Sequence, residues 1–158
     1  AVVYHGWRWS QFAAAVYGFE MHRLACRDGT GRLIGVLPLV EQRSPFFGRR
    51  LVSLPFFNYG GPLGETPEAE RFLIDQAAAL SRDRGVRTLE IRDDVPREGL
   101  AVRRDKVRVE LELPASPELL GKALGAKLRS QVRRADRESP EVVVGGADLV
   151  DEFYPVFA

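Results

Sequence analysis

The chain has 158 residues, of which 45% are hydrophobic and 28% charged. This composition is that of a globular protein long enough to bury one hydrophobic core. Its 23 Lys and Arg residues nearly balance 22 Asp and Glu residues, which excludes a DNA-binding protein that relies on overall positive charge and an acidic disordered chain. The single cysteine, Cys26, excludes an internal disulfide, and with only two histidines the sequence predicts no structural zinc site.

The apolar runs and the ends of the sequence bear on location. The apolar run at 33–40 is far shorter than the roughly 20 residues that a membrane-spanning helix needs, and no signal-peptide pattern opens the chain. The sequence therefore predicts a cytoplasmic protein without a transmembrane segment, with the inner face of the membrane as an alternative location. Because the chain begins without Met and ends in an apolar segment at 153–158, we interpret residues 1–158 as one domain of a longer protein.

The first part of the chain predicts one helix followed by a three-stranded meander, at residues 4–17, 21–27, 32–43 and 49–57. A cap at Ser10 and a stop at Gly18 would bound the helix. Asp28 and Gly29 are typical of the turn in a hairpin between the first two strands. Pro38 cannot donate to a sheet ladder, so we expect a bulge or a sheet edge at that residue.

The clearest helix signal covers residues 66–85. Thr66 is a capping residue, Pro67 suits the first turn, and Glu68 lies near the positive end of the helix. Gly85 is typical of a helix end. The apolar residues between these signals share one face, which predicts a helix packed on the sheet.

Strands are also predicted at 86–92 and 106–113. In the first of them, Glu90 and Arg92 share a face, and Arg92 is either a solvated surface residue or part of a site. Apolar and charged residues alternate through 106–113, which is typical of a half-exposed antiparallel strand. A short strand at 141–144 and a helix from residue 148 complete the prediction.

A glycine-rich bend joins the third strand to the central helix. Asn58 and Tyr59 supply side-chain donors there, and the paired Gly60 and Gly61 allow a close approach or a positive φ. At a strand-to-helix junction, such a bend can direct backbone N–H groups at an anionic or polar ligand. The alternative is a tight loop that only connects two elements.

A basic helical segment covers residues 116–138, with weak points at Gly121 and Gly125 that favour two short helices over one long helix. One stripe of this segment is apolar and is expected to face the core, namely Leu120, Leu124, Leu128, Val132 and Ala135. The remaining faces are cationic and include Lys122, Lys127, Arg129, Arg133, Arg134 and Arg137. Like charges at this spacing repel each other, so the face is either an anion site or an ordinary solvated surface.

The predicted order of elements resembles the GNAT superfamily of acyl-CoA N-acyltransferases, whose α/β fold is a mixed sheet flanked by helices. In cofactor-binding members of that superfamily, the turn after the fourth strand carries Arg or Gln, two residues, Gly, one residue, and Gly or Ala. The turn at 58–64 departs from this pattern, and Pro62 even removes a backbone donor. The stretches at 58–63 and 127–135 instead resemble the FemAB-like branch, and in particular the FemAB proteins that accompany exosortase and exopolysaccharide systems. Further similar stretches lie at 35–40, 51–57, 89–92 and 151–154.

The resemblance implies the N-terminal half of a protein with two copies of the fold. In the peptidoglycan bridge-forming relatives, a nucleotide-linked acceptor lies in a groove that involves the first copy, and an aminoacyl-tRNA donor is used mainly by the second copy. Carried over to this chain, the resemblance implies an anionic acceptor bound by Asn58, Tyr59, Gly60, Gly61, Lys127, Arg129 and Arg133. The strand pattern at 86–92 adds Arg92 to these candidate site residues. No cofactor would be bound tightly, and the donor is either an acyl-CoA or an aminoacyl-tRNA.

The leading hypothesis is therefore the acceptor-binding half of an N-acyltransferase that acts on an amine of an envelope or exopolysaccharide precursor. The amine would attack an activated carbonyl directly, and His22, Glu90 and Tyr59 are conceivable general bases without one that stands out. A rival hypothesis is a non-catalytic module that docks RNA, a protein or a lipid headgroup through its basic helix. A third is a degenerate acyltransferase fold that serves as a scaffold.

Overall fold

The computed structural model describes residues 3–46, 48–105 and 109–157. The chain divides into two compact units, Ala1–Arg103 and Arg104–Ala158. The first unit is mixed α/β, with a mixed sheet flanked by helices, and this confirms the predicted fold class at that level. The GNAT topology itself stays a prediction.

In the described residues of the first unit, the sheet has five strands: β1 Glu20–Arg27, β2 Leu33–Ser44, β3 Gly48–Val52, β4 Leu63–Gly64 and β5 Thr88–Glu90. The main order is β1-β2-β3-β5, and β4 pairs with β2 beside β3. The pair β3–β5 is parallel, and the other pairs are antiparallel. The predicted hairpin is confirmed, and its turn is closed by Asp28, whose Oδ1 accepts hydrogen bonds from the backbone and the hydroxyl of Thr30 at 2.9 and 2.6 Å.

Two of the predicted strand bounds are wrong. The third strand ends at Val52 instead of residue 57, because Leu54 and Phe56 take positive φ angles of 45° and 76° that no strand allows. The strand predicted at 86–92 is shorter, at Thr88–Glu90. At Pro38 the sequence predicted a bulge or a sheet edge, and the bulge is absent, since the register shift of this strand pair lies between Cys26 and Arg27.

Pro38 fits the sheet without a bulge. It lies opposite Arg23 of β1. On the other side of β2, residues 35 and 36 pair with β4, and residues 40–44 pair with β3. Pro38 lies between these two paired segments, so the ladder has a gap beside it. A residue without an N–H is tolerated where the ladder has such a gap.

The two main helices of the first unit are α1 Trp7–Tyr17 and α2 Pro67–Asp83. Helix α1 begins after Gly6, so the predicted cap at Ser10 is wrong: Ser10 is buried in the helix and donates its hydroxyl to the carbonyl of Trp7 at 2.9 Å. Gly18 ends α1 in the left-handed conformation, as expected. The cap of α2 at Thr66 is confirmed.

The helices α1 and α2 cover opposite faces of the sheet. On β1, the Arg23 side chain contacts Ser10 and Trp7 of α1, whereas Leu24 and Cys26 pack in the core that includes α2. Successive strand residues point to opposite faces, so the odd residues of β1 face α1 and the even ones face α2.

The core lies between the sheet and α2. Leu37, Leu39 and Leu51 of the sheet are fully buried against Leu73 and Ala77 of the helix. Each fully buried leucine contributes about 1.5–3 kcal/mol to the free energy of unfolding. Among the residues that the structure describes, every buried one belongs to this first unit.

The second unit contains α3 Pro117–Ala123, α4 Ala126–Arg137 and α5 Val150–Phe157. Ser116 caps α3 by accepting a hydrogen bond from the backbone N–H of Leu119. The interruption at Leu124 and Gly125 confirms the interpretation as two short helices.

Other predictions for the second unit are wrong. Residues 109–113 and 141–144 form no strand, while 106–108 lie outside the described residues. Val109, in the predicted strand, is 88% exposed. In the basic helical segment, Leu128 and Val132 of the apolar stripe are 51% and 50% exposed, so this stripe faces no core. Alternation favours a strand only where a neighbouring strand can pair with it, and the described part of this unit has no strand.

Candidate functional site

The glycine corner, residues 58–61, is built around contacts that the chain makes with itself. The backbone N–H of Gly60 donates to the carbonyl of Arg92 at 3.0 Å, so this donor is already used. Neither Gly60 nor Gly61 has a positive φ. A Cβ on Gly60 would lie 2.6 Å from Cβ of Leu54, and one on Gly61 would lie 2.9 Å from Cγ of Asp93. The paired glycines thus permit a close approach, and the groups that approach them are Leu54 and Asp93 of the same chain.

Arg92 holds the loop that leads into this corner. Its backbone N–H donates to the hydroxyl of Ser53 at 2.7 Å, and its guanidinium donates to the carbonyl of Phe57 at 3.0 Å. The Nε donates to Oε1 of Glu90 at 2.9 Å. Because every one of these contacts is internal, the half-buried Arg92 holds this loop in place, and its predicted role in binding a ligand stays a prediction.

Carboxylates surround the corner and the start of α2. Asp93, which lies against Gly61, accepts from Nε of Arg97 at 2.7 Å, and Arg97 also donates to Glu70 at 2.6 Å. Burial alone would lower the pKa of Arg97, but the hydrogen bonds that its guanidinium donates to Glu70 and Asp93 outweigh burial and raise this pKa. The second Glu70 oxygen accepts from the N–H of Gly64 at 3.3 Å. These acids repel an anionic ligand at this position.

An aromatic cluster from the N-terminal segment packs on the same corner. The Nε2 of His5 donates to the carbonyl of Gly61 at 2.7 Å. The ring of Tyr4 lies 4.8 Å from that of Phe57 and 6.5 Å from that of Tyr59, and Tyr59 is half-buried. Sequence reasoning missed the contributions of Tyr4 and His5, because no local pattern signals a contact between residues more than fifty positions apart.

His22 lies in a separate ionic cluster. The ligand atoms of Glu20, His22 and Glu41 lie within 4.8 Å of one another, which is the spacing of a metal site. However, three arginines also donate to Glu41. Its Oε1 accepts from Arg43 at 3.0 Å and from Arg49 at 2.8 Å, and its Oε2 accepts from Arg84 at 2.7 Å. The guanidinium charges repel a divalent cation, so the arrangement is an ion network rather than a metal site.

Of the three conceivable general bases, Glu90 belongs to an ion network and His22 lies beside one. Glu90 is paired with both Arg50 and Arg92. The Nε2 of His22 is buried, lies 3.5 Å from Glu41 and has no hydrogen-bond partner among the described residues. Tyr59 belongs to the aromatic cluster. None of the three lines the pocket between α3 and α4 or the smaller cavity beside Pro67 and Arg97.

A basic pocket lies between α3 and α4 in the second unit. Its volume is about 610 Å³, and its lining combines cationic and apolar side chains with one acid: Glu118, Gly121, Lys122, Leu124, Arg129, Val132 and Arg133. The Arg129 guanidinium donates to the carbonyl of Leu124 and, at 3.4 Å, to that of Lys122. Arg129 thereby satisfies the carbonyl end of α3 and links the two helices.

The predicted site residues are distributed over the two units. Asn58, which is exposed, and the rest of the glycine corner lie with Arg92 in the first unit. In the second unit, Arg129 and Arg133 line the basic pocket and Lys127 does not. Lys122 lines the pocket as well and was not among the predicted site residues, although its place in the cationic pattern of 116–138 was a signal for it.

Within the described residues, no helix combines the length and the apolar character needed to cross a membrane. No protein-family model, no curated protein and no solved structure matches this chain.

Proposed function

We propose that the chain is the first, GNAT-like half of a FemAB-like N-acyltransferase and that its basic pocket binds the anionic part of the acceptor. The observation that supports this proposal is the lining of the pocket, where Lys122, Arg129 and Arg133 surround a volume of about 610 Å³. This size suits a small molecule or one end of a larger precursor.

The chemistry of the lining favours a phosphate or carboxylate group. The planar guanidinium of Arg133 can bind two oxygens of such a group, and the ammonium of Lys122 adds a point charge. Leu124 and Val132 provide apolar contacts beside these charges. Glu118, also in the lining, disfavours a highly charged anion in the part of the pocket nearest to it.

The proposed reaction is the direct attack of an acceptor amine on the activated carbonyl of an acyl-CoA or an aminoacyl-tRNA. An amide bond forms, the thioester or ester bond of the donor breaks, and the proton lost by the amine passes to the leaving thiol of CoA or the leaving hydroxyl of the tRNA. This chain would contribute binding and orientation of the acceptor. The donor would be used by a second GNAT-like domain of a longer protein, acting in the cytoplasm or at the inner face of the membrane. The acceptor would be an envelope or exopolysaccharide precursor.

One observation favours the non-catalytic docking alternative. The N–H of Gly60 is occupied by the Arg92 carbonyl, and Asp93 lies beside Gly61. The glycine corner therefore has less capacity to hold an anion or to stabilise a developing oxyanion than the sequence suggested. A protein that used only its basic pocket to dock a partner would need no such capacity at the corner.

Titration of the chain with inorganic pyrophosphate, followed by NMR of its backbone amides, tests the anion site. We expect chemical-shift changes at Gly121 and around Arg133, and the double variant K122A/R133A should weaken binding by on the order of tenfold or more. The matched control is R134A, which removes an exposed arginine of α4 that does not line the pocket. Equal weakening by R134A, or the absence of binding, would contradict the proposal.

Charge reversal separates transferase from docking. In a protein that contains both halves, R133E should abolish turnover of the acceptor if the pocket holds it for reaction. Unchanged turnover together with loss of an associated macromolecule would favour the docking alternative. Turnover that is unchanged with Asn58 and Tyr59 both replaced by Ala would restrict the site to the basic pocket.

A further inference from the structure

Gly121 is the only glycine inside an α-helix in the described part of the chain. It lies within α3, before the cap at Leu124, so neither end of the helix requires it. A glycine inside a helix destabilises that helix relative to alanine. This one unfavourable position also lines the basic pocket.

Neither the backbone nor the packing of the protein explains this glycine. The φ of Gly121 is not positive, so its backbone conformation suits any L-residue. Apart from its chain neighbours and the backbone of α3, a Cβ built on Gly121 would meet no heavy atom within 4 Å, although the residue is half-buried. Empty space at a half-buried position indicates a cavity, so the absence of a side chain at Gly121 enlarges the basic pocket.

The pocket lies between one face of α3 and one face of α4. On each helix, three lining residues have the spacing i, i+3 and i+4, which places them on the same face: Glu118, Gly121 and Lys122 on α3, and Arg129, Val132 and Arg133 on α4. Leu124, between the two helices, completes the lining. Cations and apolar groups therefore border the same space, and bare backbone at Gly121 forms part of its wall.

The charges of the lining differ in their availability to a ligand. The carboxyl of Glu118 is held at the first turn of α3 by hydrogen bonds with the Ser116 hydroxyl and its own backbone N–H, which lower its pKa. The Arg129 guanidinium donates to carbonyls of α3 and its cap. Lys122 and Arg133 form no ion pair with any described residue. These two cations are thus the ones best able to bind an anion.

On the basis of the proposed acceptor site, we propose that the anion bound in this pocket carries a rigid apolar group attached directly to its charged group, as in an aryl phosphate. Lys122 and Arg133 bind the phosphate oxygens. The ring packs on Leu124 and Val132 and lies against the backbone of Gly121, where a flat group approaches more closely than any side chain would allow. A sugar in this place would lose hydrogen bonds to water, because its hydroxyls would lie against apolar side chains.

Phenyl phosphate and glucose 1-phosphate test this preference, because both carry the same phosphate group. Calorimetry on the whole chain measures the affinity of each, with inorganic phosphate as the reference. We expect phenyl phosphate to bind on the order of tenfold more tightly than the other two. Equal affinities that K122A/R133A still lowers would overturn the preference for an apolar group and leave the proposed anion site in place. The absence of binding by all three compounds would overturn both.

G121A separates a ligand-binding role of this glycine from a structural one. Alanine favours the helix, so the helical circular dichroism should stay unchanged or increase. The added methyl narrows the pocket, so the affinity for phenyl phosphate should fall on the order of tenfold, while that for inorganic phosphate stays unchanged. The matched control is G125A, since Gly125 has a φ of −63°, equally empty surroundings and no place in the lining.

Two results with these variants would contradict the role of Gly121. The first is an unchanged affinity of G121A for phenyl phosphate, which would show that the ring does not approach this residue. The second is an equal loss of phenyl phosphate affinity in G121A and G125A, which would assign the loss to the junction of α3 and α4 instead of the pocket wall. A selective loss in G121A supports the proposal.

Discussion

Glu41 is the residue whose environment departs most from that of an ordinary surface acid. Its side chain is fully buried, and three arginines from β2, β3 and the end of α2 donate to it. Burial alone would raise the pKa of this carboxyl, but the hydrogen bonds from Arg49 and Arg84 outweigh burial and lower the pKa to about 2. The network therefore joins three elements through one charged group.

Substitution of Glu41 by glutamine should destabilise the protein severely. The variant leaves several guanidinium groups around a neutral side chain, and breaking a buried ion pair costs about 3–5 kcal/mol. We expect a loss of that size in the free energy of unfolding, measured by urea denaturation. The control is E65Q, whose partner Arg32 is 60% exposed, and it should cost about 1 kcal/mol or less.

The same carboxyl predicts the direction of the pH dependence. Because the pKa of Glu41 falls from 4.5 to about 2 on folding, its stabilising contribution is complete above pH 4.5 and is lost as the pH falls towards 2. The unfolding free energy of E41Q should change less over this window than that of the unmodified chain. Parallel pH profiles for the two proteins would contradict this account of Glu41.

At the scale of elements, α2 and α4 show which helix features the sequence encodes locally. Both were recognised from their caps, interruptions and periodicity. The burial of α2 was also predicted, and Leu73 and Ala77 lie in the core. The burial of the apolar stripe of α4 was predicted too, but wrongly, since this stripe remains half-exposed at Leu128 and Val132. A hydrophobic stripe indicates which face of a helix avoids water, but it does not indicate which part of the protein covers that face.

The cap of α2 provides a test at this scale. The hydroxyl of Thr66 accepts a hydrogen bond from the N–H of Ala69 at 3.2 Å. T66A should lower the free energy of unfolding by about 1 kcal/mol, because it leaves a backbone donor of the first turn without its partner. Urea denaturation measures this change, and T66S, which keeps the hydroxyl, should restore most of the lost stability. Equal losses in both variants would assign the effect to the methyl group instead.

At the scale of the whole molecule, the two units differ in burial and therefore in the stability that each is expected to contribute. All buried residues in the described part of the chain belong to the first unit, and burial of apolar surface is the main stabilising term in folding. The second unit, in contrast, exposes Phe153, Tyr154 and Phe157 of α5. Cooperative stability is therefore expected to reside in the first unit.

A shortened chain of residues 1–103 tests this expectation. It should unfold cooperatively, with a free energy of unfolding within about 1 kcal/mol of that of the whole chain. Urea denaturation followed by circular dichroism and by tryptophan emission would measure it, since both tryptophans lie in this part. Failure of the shortened chain to fold would show that the second unit supplies stability that its exposed side chains do not indicate.

The sequence by itself determined those features that depend on neighbours along the chain. The hairpin at Asp28, the cap at Thr66, the helix end at Gly18 and the break at Gly125 were all predicted and are present. Each of them is stabilised by hydrogen bonds or backbone angles within a few residues, so residue type at a given spacing is sufficient to specify it. The basic residues around the α3–α4 pocket could be recognised from the sequence, because their spacing along the chain places them on the cationic faces of the helical segment.

Only the tertiary structure decided what the glycine corner and Arg92 do. The bonds that occupy them join residues far apart in sequence: His5 with Gly61, Gly60 with Arg92, and Arg92 with Phe57. The gathering of arginines on Glu41 and the contact of Phe56 with Tyr17 also arise only when distant segments meet. Whether a donor or a charge is available to a ligand depends on these long-range partners, and a sequence pattern read locally contains no information about them.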